Sequence, residues 1–358
     1  MTSVKIIAEA GVNHNGSLEL ALELVDKAAN AGADYVKFQT FKAENLASKN
    51  ARKAKYQTLT TDRDENQFDM LKRLELSVNE HEKILKRCGE RGISFLSTPF
   101  DIGSLKILTG HFALDEIKLG SGELTNAPLL LAAGRSGAKI ILSTGMGSLA
   151  EVEEALGVLA FAMCRKGQPN SRVDFANVLQ DQDTWQILAQ RVTLLHCTTD
   201  YPAAVKDTNL RAMNTMQSAF GVNVGYSDHT AGDAISLAAV ALGASVIEKH
   251  FTLDRRMPGP DHAASLEPKE LLALVERIRS VELALGTGIK QPSKAEVQNR
   301  TAVRKSLIAR EAIDKGQTFN HDSIEIMRPG DGISPMMLWD IVGTQATIDL
   351  GDGEVIRV

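Results

Sequence analysis

The stretch VKIIAEAGVNHNGSLELALELVDKAANAGADYVKFQ (residues 4–39) decides the fold. It opens on a short apolar run, VKIIAE (4–9), and closes on another, DYVKFQ (34–39). Between them, residues 17–31 carry a helical pattern. Ser17 is placed to cap it, Glu19 sits in its first turn, and Gly32 marks its stop. Runs that are apolar almost throughout suit strands buried on both faces of a parallel sheet, and the helix between them supplies the crossover.

Outward from this unit the rhythm recurs. Further short runs lie at 93–97, 114–119, 138–143, 191–196, 222–226 and 245–250, making eight in all. Helical patterns fall at 79–91, 148–163, 207–219, 231–242 and 268–285. Eight strands alternating with helices predict an α/β fold, a (β/α)8 TIM barrel over residues 1–285. An open doubly wound sheet would normally carry GxGxxG after its first strand, and none is present. Two connections, 40–78 and 164–190, are long enough to read as insertions. Residues 286–299 are polar with Gly and Pro and read as a linker. Residues 300–358, with short alternating runs and Gly-containing turns, read as a small, mainly β domain.

Composition narrows the function classes. The formal charge is 40 − 45 = −5 with no long run of one sign, which argues against a nucleic-acid-coating protein. Three cysteines without CxxC spacing argue against a disulfide framework and fit a reducing cytoplasm, so a cytoplasmic location is expected. No apolar stretch approaches the roughly 20 residues of a membrane span, and the N-terminus lacks a basic leader, so no membrane partner is expected.

Barrel active sites sit at the C-terminal strand ends, and here all eight ends are polar. They carry Glu9, Lys37 with Gln39, Ser97 with Thr98, Lys118 with Ser121 and Glu123, Ser143, His196 followed by Tyr201, Ser227 with His229, and His250. Each alone has a bland explanation as a cap, a turn or a satisfied core residue. Together they are hard to reconcile with chance, because buried polar groups are unfavourable unless paired. Lys37 and Lys118 aimed at one cavity call for an anion, and the serines beside glycines suit a phosphate or carboxylate. His229 and His250 close consecutive strands and, as neutral imidazoles, suit Mn²⁺, Zn²⁺ or Fe²⁺, with Glu248 as support. Glu9, Glu123 and Asp261 suit a polyol. The pattern fits an enzyme joining a phosphorylated acid to a sugar. A metal-dependent aldolase or isomerase of a phosphorylated sugar on the same barrel is the alternative, and a non-catalytic carbohydrate-binding scaffold is a third reading.

The segments AEAGVNHNGS (8–17), KFQTF (37–41), KLGSGE (118–123), LSTGM (142–146), LHCTTDYP (195–202), YSDHT (226–230), EKHF (248–251) and PGPDH (258–262) resemble the sialic acid (nonulosonic acid) synthases. SLIAREAIDKGQ (306–317) and RPGDGISP (328–335) resemble their C-terminal antifreeze-like (SAF) domain. The resemblance implies condensation of phosphoenolpyruvate with an N-acetylated hexosamine. The acceptor would be N-acetylmannosamine or 2,4-diacetamido-2,4,6-trideoxymannose, and the product N-acetylneuraminate or legionaminate plus phosphate. It implies that Lys37, Thr98, Lys118, Ser121, Ser143 and Ser227 hold phosphoenolpyruvate. His229 and His250 would hold a divalent metal, Mn²⁺ with Mg²⁺ or Co²⁺ as alternatives. Glu9, Gln39, Glu123, Tyr201 and Asp261 would face the sugar. Glu9 and Glu123, with the two histidines, are the implied catalytic set, Glu123 to activate the attacking water. Arg328 would complete the partner's site in a domain-swapped homodimer. Thr199, followed by Asp200, stands where some N-acetylneuraminate synthases have Asn, a pairing that resembles bacterial members including those making legionaminic acid.

Overall fold

A computed structural model describes residues 3–53, 58, 61 and 65–357. Part of the 40–78 insertion therefore lies outside the described residues. The chain divides into two units, Met1–Gly286 and Thr287–Val358.

The first unit holds eight parallel strands: β1 Lys5–Gly11, β2 Tyr35–Thr40, β3 Ser94–Pro99, β4 Glu116–Leu119, β5 Lys139–Ser143, β6 Val192–Cys197, β7 Asn223–Asp228 and β8 Val246–His250. Their hydrogen-bonded order is β3-β2-β1-β8-β7-β6-β5-β4, and β3 and β4 lie against each other without ladder pairing among the described residues. This is a nearly closed TIM-like barrel, as the strand count predicts. The expected helices form where caps define them. Ser17 caps Leu18–Asn30, and Ser77 and Ser148 make reciprocal boxes with Glu80 and Glu151 at the starts of Val78–Arg91 and Leu149–Cys164. The helix Ala127–Arg135 was not expected: its run APLLLAAG is apolar without a period, and Asn126 and Pro128 at its start are the readable signals.

Inside the barrel, Ile7, Leu96, Ile141, Leu195 and Val246 form one aliphatic layer with Tyr35 packed against it. Their burial contributes on the order of 10 kcal/mol, and the layer plugs the barrel beneath the mouth. The larger core lies between the outer strand faces and the helices.

The second unit pairs β9 (Ser306–Ala309) with β10 (Ile324–Met327) antiparallel, around a small core that includes Leu307, Phe319, Ile324 and Leu350. The stretch read as a linker carries the start of a helix, Lys294–Val303, because Ser293 and Glu296 form a capping box that the Gly and Pro content obscured.

Candidate active site

Side chains alternate along a strand, so a residue two beyond an interior aliphatic also faces the interior, one layer higher. Ile7 is followed by Glu9, Tyr35 by Lys37 and Gln39, Leu96 by Thr98, Ile141 by Ser143, and Val246 by Glu248 and His250. The ladder places Glu9 opposite both Lys37 and His250, and Ser227 opposite Glu248. These side chains line a cavity of about 300 Å³ at the strand ends, together with Lys118, Ser121, Tyr201, His229 and Asp261. A larger groove of about 890 Å³ runs along the outer helices, but its charged Glu154 and Arg172 pair with each other at 2.6 Å and converge on nothing.

The lysines are not free to wait for a ligand. Lys37 Nζ lies 2.7 Å from Glu9 Oε2, 3.6 Å from Glu248 Oε2, and donates to Thr98 Oγ1 at 3.2 Å. Lys118 Nζ lies 3.5 Å from Glu248 Oε1, which also accepts from Ser227 Oγ at 2.7 Å. The anion that these lysines call for in the sequence is thus met within the chain, by Glu9 and Glu248. Glu248, read as support for His250, is instead the carboxylate shared by the two cations. Burial opposes its ionisation, but Lys118 and Lys37 outweigh burial and hold its pKa low. Burial pushes Glu9 up, with Lys37 only partly countering it. Lys118 is held below the usual lysine value by burial, with Lys37 adding to the effect. Asp261 is pushed up to about 6 by burial, countered weakly by Lys37.

Gly11 follows a register shift at the end of β1 and has φ +53°. A Cβ there would lie 3.2 Å from Glu9 Oε1 and 3.5 Å from both Gln39 Nε2 and His250 Cε1, so a side chain would intrude where these groups meet.

His229 Nδ1 lies 2.7 Å from the Thr198 carbonyl oxygen, which fixes that nitrogen as the proton carrier and leaves Nε2 near Ser227 Oγ at 3.3 Å. His250 Nδ1 is buried without a hydrogen-bond partner, 4.0 Å from Asp261 Oδ2. The two rings lie 5.5 Å apart, and the Tyr201 ring covers His229 at 4.1 Å. Burial lowers the pKa of both imidazoles, with His229 and Lys37 adding to the effect on His250, so both favour the neutral, ligating form. The orphaned nitrogen of His250 and the anchored ring of His229 fit a divalent cation. Among the described residues no third His, Cys, Asp or Glu completes a metal cluster, so such an ion would take its remaining ligands from substrate or water.

Two expected residues have partners of their own. Glu123 is buried but does not line the cavity: it ends the 3-10 turn that begins at Ser121, and its carboxylate accepts from Asn126 Nδ2 at 2.6 Å. Arg328 lies in the second unit, where its Nε donates to the Val303 carbonyl oxygen at 2.9 Å. Thr199 and Asp200 are both exposed, and of the two Thr199 lines the cavity.

Sequence reasoning missed a buried pair behind the histidines. Asp228 and Lys249 are ladder partners whose charges meet at 2.9 Å, with their side chains almost wholly buried. Each precedes one of the two histidines. The readable signal was a charge at an outward position, where the neighbours on the same strand face, Val224, Tyr226 and Ile247, belong to the core.

Residues 24–290 match the NeuB family model. The chain is 48% identical to N,N'-diacetyllegionaminic acid synthase of Campylobacter jejuni over the whole of both chains. It is 42% identical to the enzyme of the same name from Legionella pneumophila, covering 98% of this chain and 92% of that one. A crystal structure of N-acetylneuraminic acid synthetase from Leptospira borgpetersenii superposes with a TM-score of 0.66 at 33% identity, covering 84% of this chain and 93% of that one. No described helix is long and apolar enough to cross a membrane. On these matches, the chain belongs to the NeuB family, the sialic acid synthases.

Proposed function

We propose that this chain condenses phosphoenolpyruvate with an N-acetylated hexosamine, giving a nine-carbon 2-keto sugar acid and phosphate. The observation that carries this reading is the meeting of Lys37 and Lys118 with Ser121, Ser143 and Ser227 around a cavity that Glu9, Gln39, Asp261, His229 and His250 also line. Of the two acceptors, the kinship with enzymes named for N,N'-diacetyllegionaminic acid favours 2,4-diacetamido-2,4,6-trideoxymannose over N-acetylmannosamine.

In this reading Lys37 and Lys118 neutralise the carboxylate and phosphate of phosphoenolpyruvate, and Thr98 with the three serines supplies hydrogen bonds. C3 of the enol attacks the aldehyde carbon, forming the new C–C bond. Glu9, whose pKa is raised by burial, holds a proton for the aldehyde oxygen, which becomes a hydroxyl. Water adds to the cationic C2 and returns one proton to Glu9; the C–O bond to phosphate then breaks, the second proton leaves with the phosphate, and the C2 carbonyl forms. We give no step to Glu123, because it hydrogen-bonds Asn126 outside the cavity. Gln39, Tyr201 and Asp261 orient the sugar. His229 and His250 would hold a divalent metal, Mn²⁺ in the first instance, which when bound acts as a Lewis acid toward the sugar carbonyl.

Incubation with phosphoenolpyruvate, Mn²⁺ and each sugar in turn should release inorganic phosphate with at least one of them. No release with either overturns the reading. An aldolase or isomerase would leave the phosphate of phosphoenolpyruvate intact. We also keep, on the resemblance alone, a homodimer in which Arg328 serves the partner's site. A fully active monomer, or an unimpaired Arg328→Ala variant, removes that part.

A further inference from the structure

One side of the cavity is apolar and comes from the insertion after β2. The helix Gln67–Leu74 contributes Met70, Leu71 and Leu74; Leu46, Val12 and Phe100 complete the wall. With Phe41 these residues form a cluster separate from the barrel core. The wall is anchored from outside. Lys72 reaches Glu44 at 2.7 Å and Arg73 reaches Glu65 at 2.8 Å. Gly16, at φ +77°, lies so close that a Cβ would stand 2.3 Å from the Arg73 carbonyl oxygen. Of the helix's own side chains lining the cavity, Gln67 alone is polar.

A fully hydroxylated sugar placed here would press hydroxyls against side chains that cannot hydrogen-bond them, whereas a methyl group loses nothing. We propose that the wall of Met70, Leu71, Leu74, Leu46, Val12 and Phe100 receives the deoxygenated end of the acceptor, its C6 methyl and the methyl of its 4-acetamido group, and selects it over a sugar bearing hydroxyls there. This rests on the reading of the cavity as a site joining phosphoenolpyruvate to an amino sugar. It adds the residues that choose the sugar.

The experiment measures kcat/KM for phosphate release with both sugars in the wild type and in Leu71→Asn and Leu46→Asn, two variants on different elements. The wild type should prefer 2,4-diacetamido-2,4,6-trideoxymannose by roughly 10–200-fold, the range that a small apolar contact provides. Each folded variant should narrow that preference at least tenfold while leaving the KM for phosphoenolpyruvate unchanged. Leu71→Met, which keeps the surface apolar, should retain the preference. A wild type that prefers N-acetylmannosamine, or asparagine variants that turn over both sugars with the original ratio, overturns the proposal. Absence of phosphate release with either sugar would instead fail the underlying reading, and the proposal with it.

Discussion

Asp261→Asn should stabilise the free protein at neutral pH and leave it unchanged in acid. Asp261 is 7% exposed, and burial raises its pKa from 3.8 to about 6. A group whose folded pKa exceeds its unfolded value favours the native state below the unfolded value, and that contribution is lost as pH rises through the folded value. The gap between 3.8 and about 6 corresponds to about 3 kcal/mol. Ionised Asp261 should therefore oppose folding by about that much above pH 7, less through pH 6 to 4, and negligibly at about pH 3. The isosteric amide removes the charge and keeps the shape. Urea unfolding of the chelator-treated wild type and variant, at intervals from pH 3 to 8, reads the difference directly. The variant's advantage should grow with pH and level off near 3 kcal/mol, while its acceptor-dependent turnover falls. An advantage that does not change with pH, or a variant less stable than the wild type at pH 8, refutes the assignment of a buried, under-compensated carboxylate.

Two further outcomes follow from the buried charges. Lys249→Met should destabilise the barrel by about 3 kcal/mol, the lower end of the range for breaking a buried pair, because Asp228 keeps its hydrogen bonds from Thr230 and Ser236; a loss below about 1 kcal/mol in urea unfolding would show the pair to be unimportant. Glu248→Gln should lower the melting temperature of the free protein yet enlarge the shift produced by phosphoenolpyruvate, because Lys37 and Lys118 then face the anion without an internal competitor; a smaller shift than in the wild type would place Glu248 in the ligand cradle instead.

The strands were legible because a buried parallel strand has a simple signature, a short run apolar on both faces. Their polar ends were legible because chemistry there must break that signature. Lys37, Lys118, His229 and His250 were each visible as an exception. Their partners were not. Glu248 stands two residues before His250 and reads locally as its neighbour, whereas closure of the barrel carries Lys37 from β2 and Lys118 from β4 to the same carboxylate. No sequence interval encodes that meeting. Glu123 was legible only in part: it does follow the end of β4, but a short turn and the Asn126 side chain settle where its carboxylate points. The apolar wall was hidden because the 40–78 insertion is charged along its length, and the charges that tie it down outnumber the few side chains that reach the cavity.

The internal pairing of the lysines changes what substrate binding must accomplish. Two cations in so small a space would repel each other, and Glu248, kept ionised by both, holds them together in the free protein. Glu9 beside them is raised, so it is the carboxyl more ready to hold a proton. On the proposed reaction, an entering phosphoenolpyruvate would bring its own negative charge to Lys37 and Lys118. That charge would strengthen the tendency of Glu9 to take up a proton, because a like charge nearby disfavours ionisation. The anion that provides the nucleophilic carbon would thereby load the proton that the aldehyde oxygen needs. The same pair of lysines would link the order of binding to the chemistry, with phosphoenolpyruvate entering first and the sugar meeting a carboxyl already charged with its proton.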